Sequence, residues 1–400
     1  MASRFYVCCR KGCPRRSLDA ARVFRYLEAN GWRATRYSAR ADIVVVVTCG
    51  GFQQTEERSL LTIRDAARHA RPGAHIVISG CLTRIDPDAL AAFSDATIIH
   101  PEEMSQLDGI ISATVPFDSI PFAGSIPDVQ DLKGDGFSLA RLRDEFSPTR
   151  SFVRSAFTYL YRKVVSLRKS WDVFPASVFN VMIARGCNGH CTYCAIRVGT
   201  GPLVSRPIED VVATFRQGLA EGYHRFVLIA EDVGSYGVDI GTNLVELLQA
   251  IFAIESDYEL ILNDCNIQWF VEYGDSLMSL LEQNRDRLAD IRIPVQSGSD
   301  RMLRLMGRRY RSEDIRQVVG ALRERLPGVS LKTHVLVGFP GETEEDVSAT
   351  VQLLSEACFD AVKLYCYEER PGTPAARLPD KVPDAVKRQR YRRLAAYGVR

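Results

Sequence analysis

The stretch "ARGCNGHCTYCAIRVGTG" brings Cys187, Cys191 and Cys194 together in the spacing Cys-x3-Cys-x2-Cys. Thiolates are soft ligands that select zinc, copper(I) or iron–sulfur clusters. A structural zinc site is closed by four ligands. His190 is a possible fourth, but it adjoins Cys191 in the chain and would strain a tetrahedron. No second Cys-x2-Cys pair exists anywhere in the sequence. Three thiolates without a near fourth ligand suit a four-iron cluster with one iron open to a small molecule. The bland reading, three buried small hydrophobes, does not suit a polar, glycine-containing loop.

These thiols must be carried by elements that hold them at one edge. Residues 1–120 alternate strand and helix signals. "RFYVCC" and the β-branched run "ADIVVVVTCGGF" read as strands, the latter buried on both faces, and "HIVISGCLTR" as a third. "SLDAARVFRYLEANGW" and "EERSLLTIRDAARHA" carry helical spacing, with Asn30-Gly31 and Pro72-Gly73 as stops. This order predicts an α/β fold with an N-terminal open parallel, doubly wound sheet. Residues 121–177 read as a linker containing a basic helical insertion at 151–170, either a solvated face or a contact for an anionic substrate. From 178 to 400, six strand candidates alternate with helices, starting at "SVFNVMIA" and ending at "AVKLYCY". Six such units predict a partial (β/α)6 barrel whose working face is the C-terminal edge of its strands. The cysteine trio follows the first of them.

At this point the sequence resembles a known family. Cys-x3-Cys-x2-Cys with an aromatic, Tyr193, before the last cysteine is similar to the signature of radical S-adenosylmethionine enzymes. "ARGCNGHCTYCAI", "SRPIEDVV", "SYGVD", "IPVQSGSDRMLRLMGR", "VLVGFPGETEEDV" and "PGTPAARLPDKV" further resemble the methylthiotransferases in order and spacing. "KGCPRRSLDA", "ADIVVVVTCGGF" and "SGCLTR" fall where that family places three single cysteines, here Cys13, Cys49 and Cys81. Loops at the carboxyl edge of an open sheet converge on one crevice, so these three thiols are placed to meet.

The resemblance implies two [4Fe-4S] clusters and S-adenosylmethionine. Cys187, Cys191 and Cys194 would hold the radical-generating cluster, and Cys13, Cys49 and Cys81 an auxiliary one that carries sulfur. A 5′-deoxyadenosyl radical would abstract hydrogen from an unactivated carbon, and a methylthio product would follow. Tyr193, Glu231, Asp232, Ser235, Gln296, Ser297, Lys332 and Gly338 are the residues expected near S-adenosylmethionine or substrate. Helix capping by Asp232 or Ser235 and a plain turn at Gly338 are the competing readings. A reductant such as flavodoxin or ferredoxin is implied as partner.

Some features depart from the family. "IRVGTG" follows the trio with Arg197 at the usual proline position, and "NDCNIQWFVEYGD" is atypical. The family's C-terminal TRAM barrel would begin at "KRQRYRRLAAYGVR", with nothing β-like after it. These departures lead us to expect a peptide or small metabolite as substrate, with tRNA or a ribosomal protein as the alternative. A non-catalytic iron–sulfur carrier is a third reading, which would need neither an open iron nor a cofactor cavity. The bulk composition is neutral on this choice. With 400 residues and a net charge of +2, it makes no global case for nucleic acid. No apolar run of membrane length and no secretory leader is evident, and the 11 cysteines are odd in number, so a reducing cytoplasmic setting without membrane contact is expected.

Overall fold

The structure is a computed structural model that describes residues 3–9, 13–122 and 177–398. The basic insertion expected at 151–170, and nearly all of the linker, lie outside the described residues.

The N-terminal sheet is wholly parallel. Its strands are β1 (Arg4–Cys9), β2 (Arg33–Ala34), β3 (Ile43–Thr48), β4 (His75–Gly80) and β5 (Thr97–Ile99), in the spatial order β2-β1-β3-β4-β5. Every residue of β3 is buried, as its run of four valines requires of a central strand covered on both faces. Phe5, Val7, Val45 and Val47 face the helix Pro14–Ala29 through Ala20, Val23 and Leu27. Tyr6, Cys8, Val44 and Val46 face the helix Gln53–His69 through Ile63 and Ala66. The sheet is therefore doubly wound, as expected. Cys8 and Cys9 are part of these cores.

The second sheet holds β6 (Val178–Met182), β9 (Arg225–Ile229), β10 (Glu259–Leu262), β11 (Leu288–Arg292), β12 (Ser330–Val337) and β13 (Ala361–Cys366). All pairings are parallel and the strands lie in chain order, with β6 and β13 at opposite edges. This is the partial barrel. A short antiparallel pair, β7 (Ala184–Arg185) with β8 (Val204–Ser205), brackets the cysteine loop. The helix after β10 runs from Ile267 to Gln283 and breaks at Gly274, whose φ is +50°. Part of the atypical "NDCNIQWFVEYGD" stretch therefore lies in a helix that packs into the barrel through Ile267, Trp269 and Phe270.

Candidate functional site

The C-terminal edges of both sheets open onto one cavity of about 590 Å³. All six cysteines singled out in the sequence line it. Thr48 and Gly80 are register partners at the ends of β3 and β4, so Cys49 and Cys81 emerge side by side. Cys13 lies on the loop after β1, at the start of the helix Pro14–Ala29. The Cys49 thiol is hydrogen-bonded with those of both Cys13 and Cys81. Ser59 clamps the Cys49 backbone: its hydroxyl accepts from Cys49 N–H at 3.0 Å and donates to Cys49 C=O at 2.9 Å. Gly50 N–H donates to Cys81 Sγ at 3.3 Å.

The barrel trio is held by local turns. Cys187 N–H bonds Gly201 C=O at 3.2 Å, and Cys194 N–H bonds Cys191 C=O at 3.2 Å. Gly189 N–H donates to Cys187 Sγ at 3.2 Å. The helix Ile196–Thr200 then packs onto Cys81 and Ile85 through Gly199. Ala195, Cys81, Ile85 and Cys49 form one small apolar cluster, so the two trios are neighbours across the domain junction.

Burial sets the electrostatics. It pushes the Cys187 thiol up to about 12 and raises Cys194. Cys13 is raised first by its hydrogen bond with Cys49 and then by burial. Cys81 is lowered, chiefly by its hydrogen bond with Cys49, with Arg16 and Gly50 N–H helping against burial. Asp232 is raised by burial, although Trp269 Nε1–H at 2.8 Å and Asn266 N–H at 3.3 Å both donate to it. Trp269 reaches Asp232 because its indole lies over Gly234, where any side chain would collide with the ring.

These thiol sets fit iron–sulfur ligation. Each presents three sulfurs from separate backbone segments or turns, and in each a backbone N–H already points at one sulfur, as a thiolate ligand requires. Among the described residues no three His, Cys, Asp or Glu side chains converge on a position for one ion, so neither trio is preformed for mononuclear zinc. His190 lies near Arg197 rather than completing a tetrahedron.

Five of the other predicted residues also line the cavity: Tyr193, Glu231, Asp232, Ser235 and Gln296. Neither Asp232 nor Ser235 caps a helix through its side chain. The structure sets three apart. Ser297 turns away from Gln296 and meets Thr350 and Ser299 N–H. Lys332 is only the third residue of β12, far from the C-terminal edge, and bonds Asp290. Gly338 has φ +76° and makes room for Lys387, whose Cγ would lie 2.4 Å from an added Cβ. His334, two residues beyond Lys332, does line the cavity, 3.7 Å from Asp264.

Sequence reasoning did not single out the residues that join the domains. Arg15 reaches from the N-terminal helix to Ala230 C=O at 2.8 Å, Glu231 at 3.5 Å and Asp264 at 3.6 Å. Asp19 pairs with Arg185, and Glu56 with Arg370. Phe52 stacks on Tyr365 with ring centroids 5.2 Å apart. Arg308, half-buried beside Tyr193 and Asn266, is another lining residue not foreseen. Adjacency to Cys13 in "CPRR" was the available signal for Arg15; the other contacts join residues remote in the chain.

Comparison with known proteins bears on this geometry. Residues 181–354 match the family described as Radical SAM superfamily, and residues 6–99 match Uncharacterized protein family UPF0004. The ribosomal protein uS12 methylthiotransferase RimO of Desulforudis audaxviator is 31% identical over 389 residues, spanning 96% of this chain and 78% of that protein. The same-named protein of Geobacter sulfurreducens is 30% identical over 395 residues, spanning 96% and 79%. A probable threonylcarbamoyladenosine tRNA methylthiotransferase of Pyrococcus horikoshii is 29% identical, spanning 96% and 81%. Among solved structures, the radical S-adenosylmethionine methyltransferase TsrM from Kitasatospora setae, with cobalamin and a [4Fe-4S] cluster bound, superposes with a TM-score of 0.63. It is 15% identical, covering 94% of this chain and 77% of that one, and so speaks for the fold alone.

Proposed function

Because the chain belongs to the radical S-adenosylmethionine methylthiotransferases, enzymes that use S-adenosylmethionine and [4Fe-4S] clusters, we propose that it methylthiolates a ribosomal-protein side chain. The observation that carries this reading is the convergence of six cysteines on one cavity. Cys187, Cys191 and Cys194 would hold the cluster that binds S-adenosylmethionine, and Cys13, Cys49 and Cys81 the auxiliary one. Loaded there, these groups supply a 5′-deoxyadenosyl radical and the sulfur to be transferred.

The chain's own residues set the stage for both. Arg15 and the Asp19–Arg185 and Glu56–Arg370 pairs fix one domain on the other. The stacked Phe52 and Tyr365 wall the cavity with apolar surface, which shields a radical from water. Asp232, held by Trp269, and Glu231 line the cavity and would offer acceptors to polar groups of the cofactor. A cavity of about 590 Å³ admits a cofactor and one protruding side chain, so a macromolecule would offer a single residue to it.

The expectation of a specialised peptide or small metabolite gives way, because the relatives that span nearly all of this chain are named for ribosomal-protein and tRNA modification. The tRNA reading has the support of the Pyrococcus relative. Reconstituted protein with S-adenosylmethionine, sulfide and a low-potential reductant such as reduced flavodoxin or ferredoxin should be offered uS12 and tRNA side by side. Mass spectrometry of each should show methylthio replacing hydrogen on uS12. Modification of tRNA alone, with binding that weakens steeply in salt, would replace this reading with the other. The triple variant Cys13→Ala, Cys49→Ala, Cys81→Ala should drop from about eight irons to about four and lose sulfur transfer.

A further inference from the structure

Arg16 stands out because the fold buries it and leaves one of its nitrogens without a hydrogen-bond partner. It is 3% exposed and lines the cavity beside Cys13 and Cys81. Its Nη1 lies 3.1 Å from Asp19 Oδ2 without the alignment of a hydrogen bond, and no other acceptor meets it. Asp19 is shared: it also pairs with Arg185. Two guanidinium groups thus lean on one carboxylate, and the Arg16 Nη1–H is left without a hydrogen bond. Glu231, the other acid near Arg16, pairs with Arg15, which also faces Asp264. Arg22, next along the helix, has its own partners in Asp118 and the carbonyls of Phe117 and Ile120.

A buried N–H group without an acceptor is costly, and an acceptor bound in the cavity would relieve that cost. Three thiolates around an oxidised four-iron cluster leave a net negative charge, and an anionic sulfur on the open iron adds to it. Hydrogen bonds and charge near cluster sulfurs are what tune its potential.

On the reading that Cys13, Cys49 and Cys81 hold a cluster, we propose that Arg16 is its positioning cation. From the wall of the same cavity its Nη1–H would donate to a sulfur of that site, and its charge would raise the site's reduction potential and favour retention of an anionic sulfur ligand. Asp19 limits the effect by sharing the charge.

The test uses the full chain carrying Cys187→Ala, Cys191→Ala and Cys194→Ala, so that iron reports the auxiliary site alone. Its midpoint potential is measured by spectroscopically monitored titration, with iron counted on the same samples. Arg16→Gln should shift the potential to more negative values with iron retained, and Arg16→Lys should recover part of the shift. Asp19→Asn, which frees Arg16, should shift it the opposite way; this variant keeps the test decisive if Arg16→Gln folds poorly. Unchanged potentials at full iron content would overturn the role of Arg16 and leave the cluster assignment standing. Absence of iron from the parent would overturn both.

Discussion

Gly199 is where the two cysteine trios are pressed together, and replacing it by alanine tests whether that contact matters. A Cβ at this position would lie 2.7 Å from Cys81 Cβ, 2.9 Å from Cys81 C=O and 2.9 Å from Ile85 Cδ1. Carbon atoms in ordinary contact stand about 3.5–4.0 Å apart, so Cys81 or the Ile196–Thr200 helix must move by roughly 1 Å. Two of the three obstacles belong to Cys81 itself, and Cys81 has little freedom. Its C=O accepts from Ile85 N–H at 3.1 Å, and its thiol is engaged by Gly50 N–H at 3.3 Å. Overpacking of this kind costs about 1–3 kcal/mol. The strain falls on the ligand loop of the auxiliary site, so Gly199→Ala should lose iron there before iron bound by Cys187, Cys191 and Cys194. Iron and sulfide counts after reconstitution, beside urea unfolding of the metal-free protein, read both effects. Adding Ile85→Ala relieves one contact only and should not restore the iron. A full iron count with an unchanged unfolding midpoint in Gly199→Ala would show that the packing is slack and the reasoning wrong.

Two further perturbations probe the frame. Arg370→Met strands the Glu56 carboxylate, whose side chain is 14% exposed, at the domain junction. Breaking a largely buried pair from one side costs about 3 kcal/mol, whereas Glu56→Gln with Arg370→Met should recover much of it; equal urea midpoints for single and double variants would contradict this. Glu342 is held by burial at about 7, up from an ordinary 4.5, despite donors from Gly338 N–H and Arg390. Between these values the folded protein keeps a proton that the unfolded chain releases, so stability falls as pH rises from about 4.5 to 7 and levels off above. Glu342→Gln should flatten that part of the stability profile, and identical slopes in the two proteins would refute the assignment.

Much of this was legible in the chain itself. Alternating buried runs and amphipathic helices announced two parallel sheets, because a strand covered on both faces must be apolar throughout, as β3 is. Cys187, Cys191 and Cys194 were legible because their spacing is local: one turn-rich loop suffices to gather them. Cys13, Cys49 and Cys81 were legible in position, as residues after successive strands, although their meeting depends on the register of β3 with β4.

Tertiary structure alone decided the rest. Which polar residues face the cavity depends on how far along a strand they sit and which way they turn, so Lys332 falls short while His334 arrives. Gly338 looked like a ligand-approach glycine and instead makes room for Lys387, far away in sequence. The clasps Arg15–Glu231, Asp19–Arg185 and Glu56–Arg370 join positions more than a hundred residues apart, beyond the reach of any helical or strand period. Local patterns specify which face of an element is apolar; only packing determines which charged groups are left to meet at the junction, and that meeting brings the two trios to one cavity.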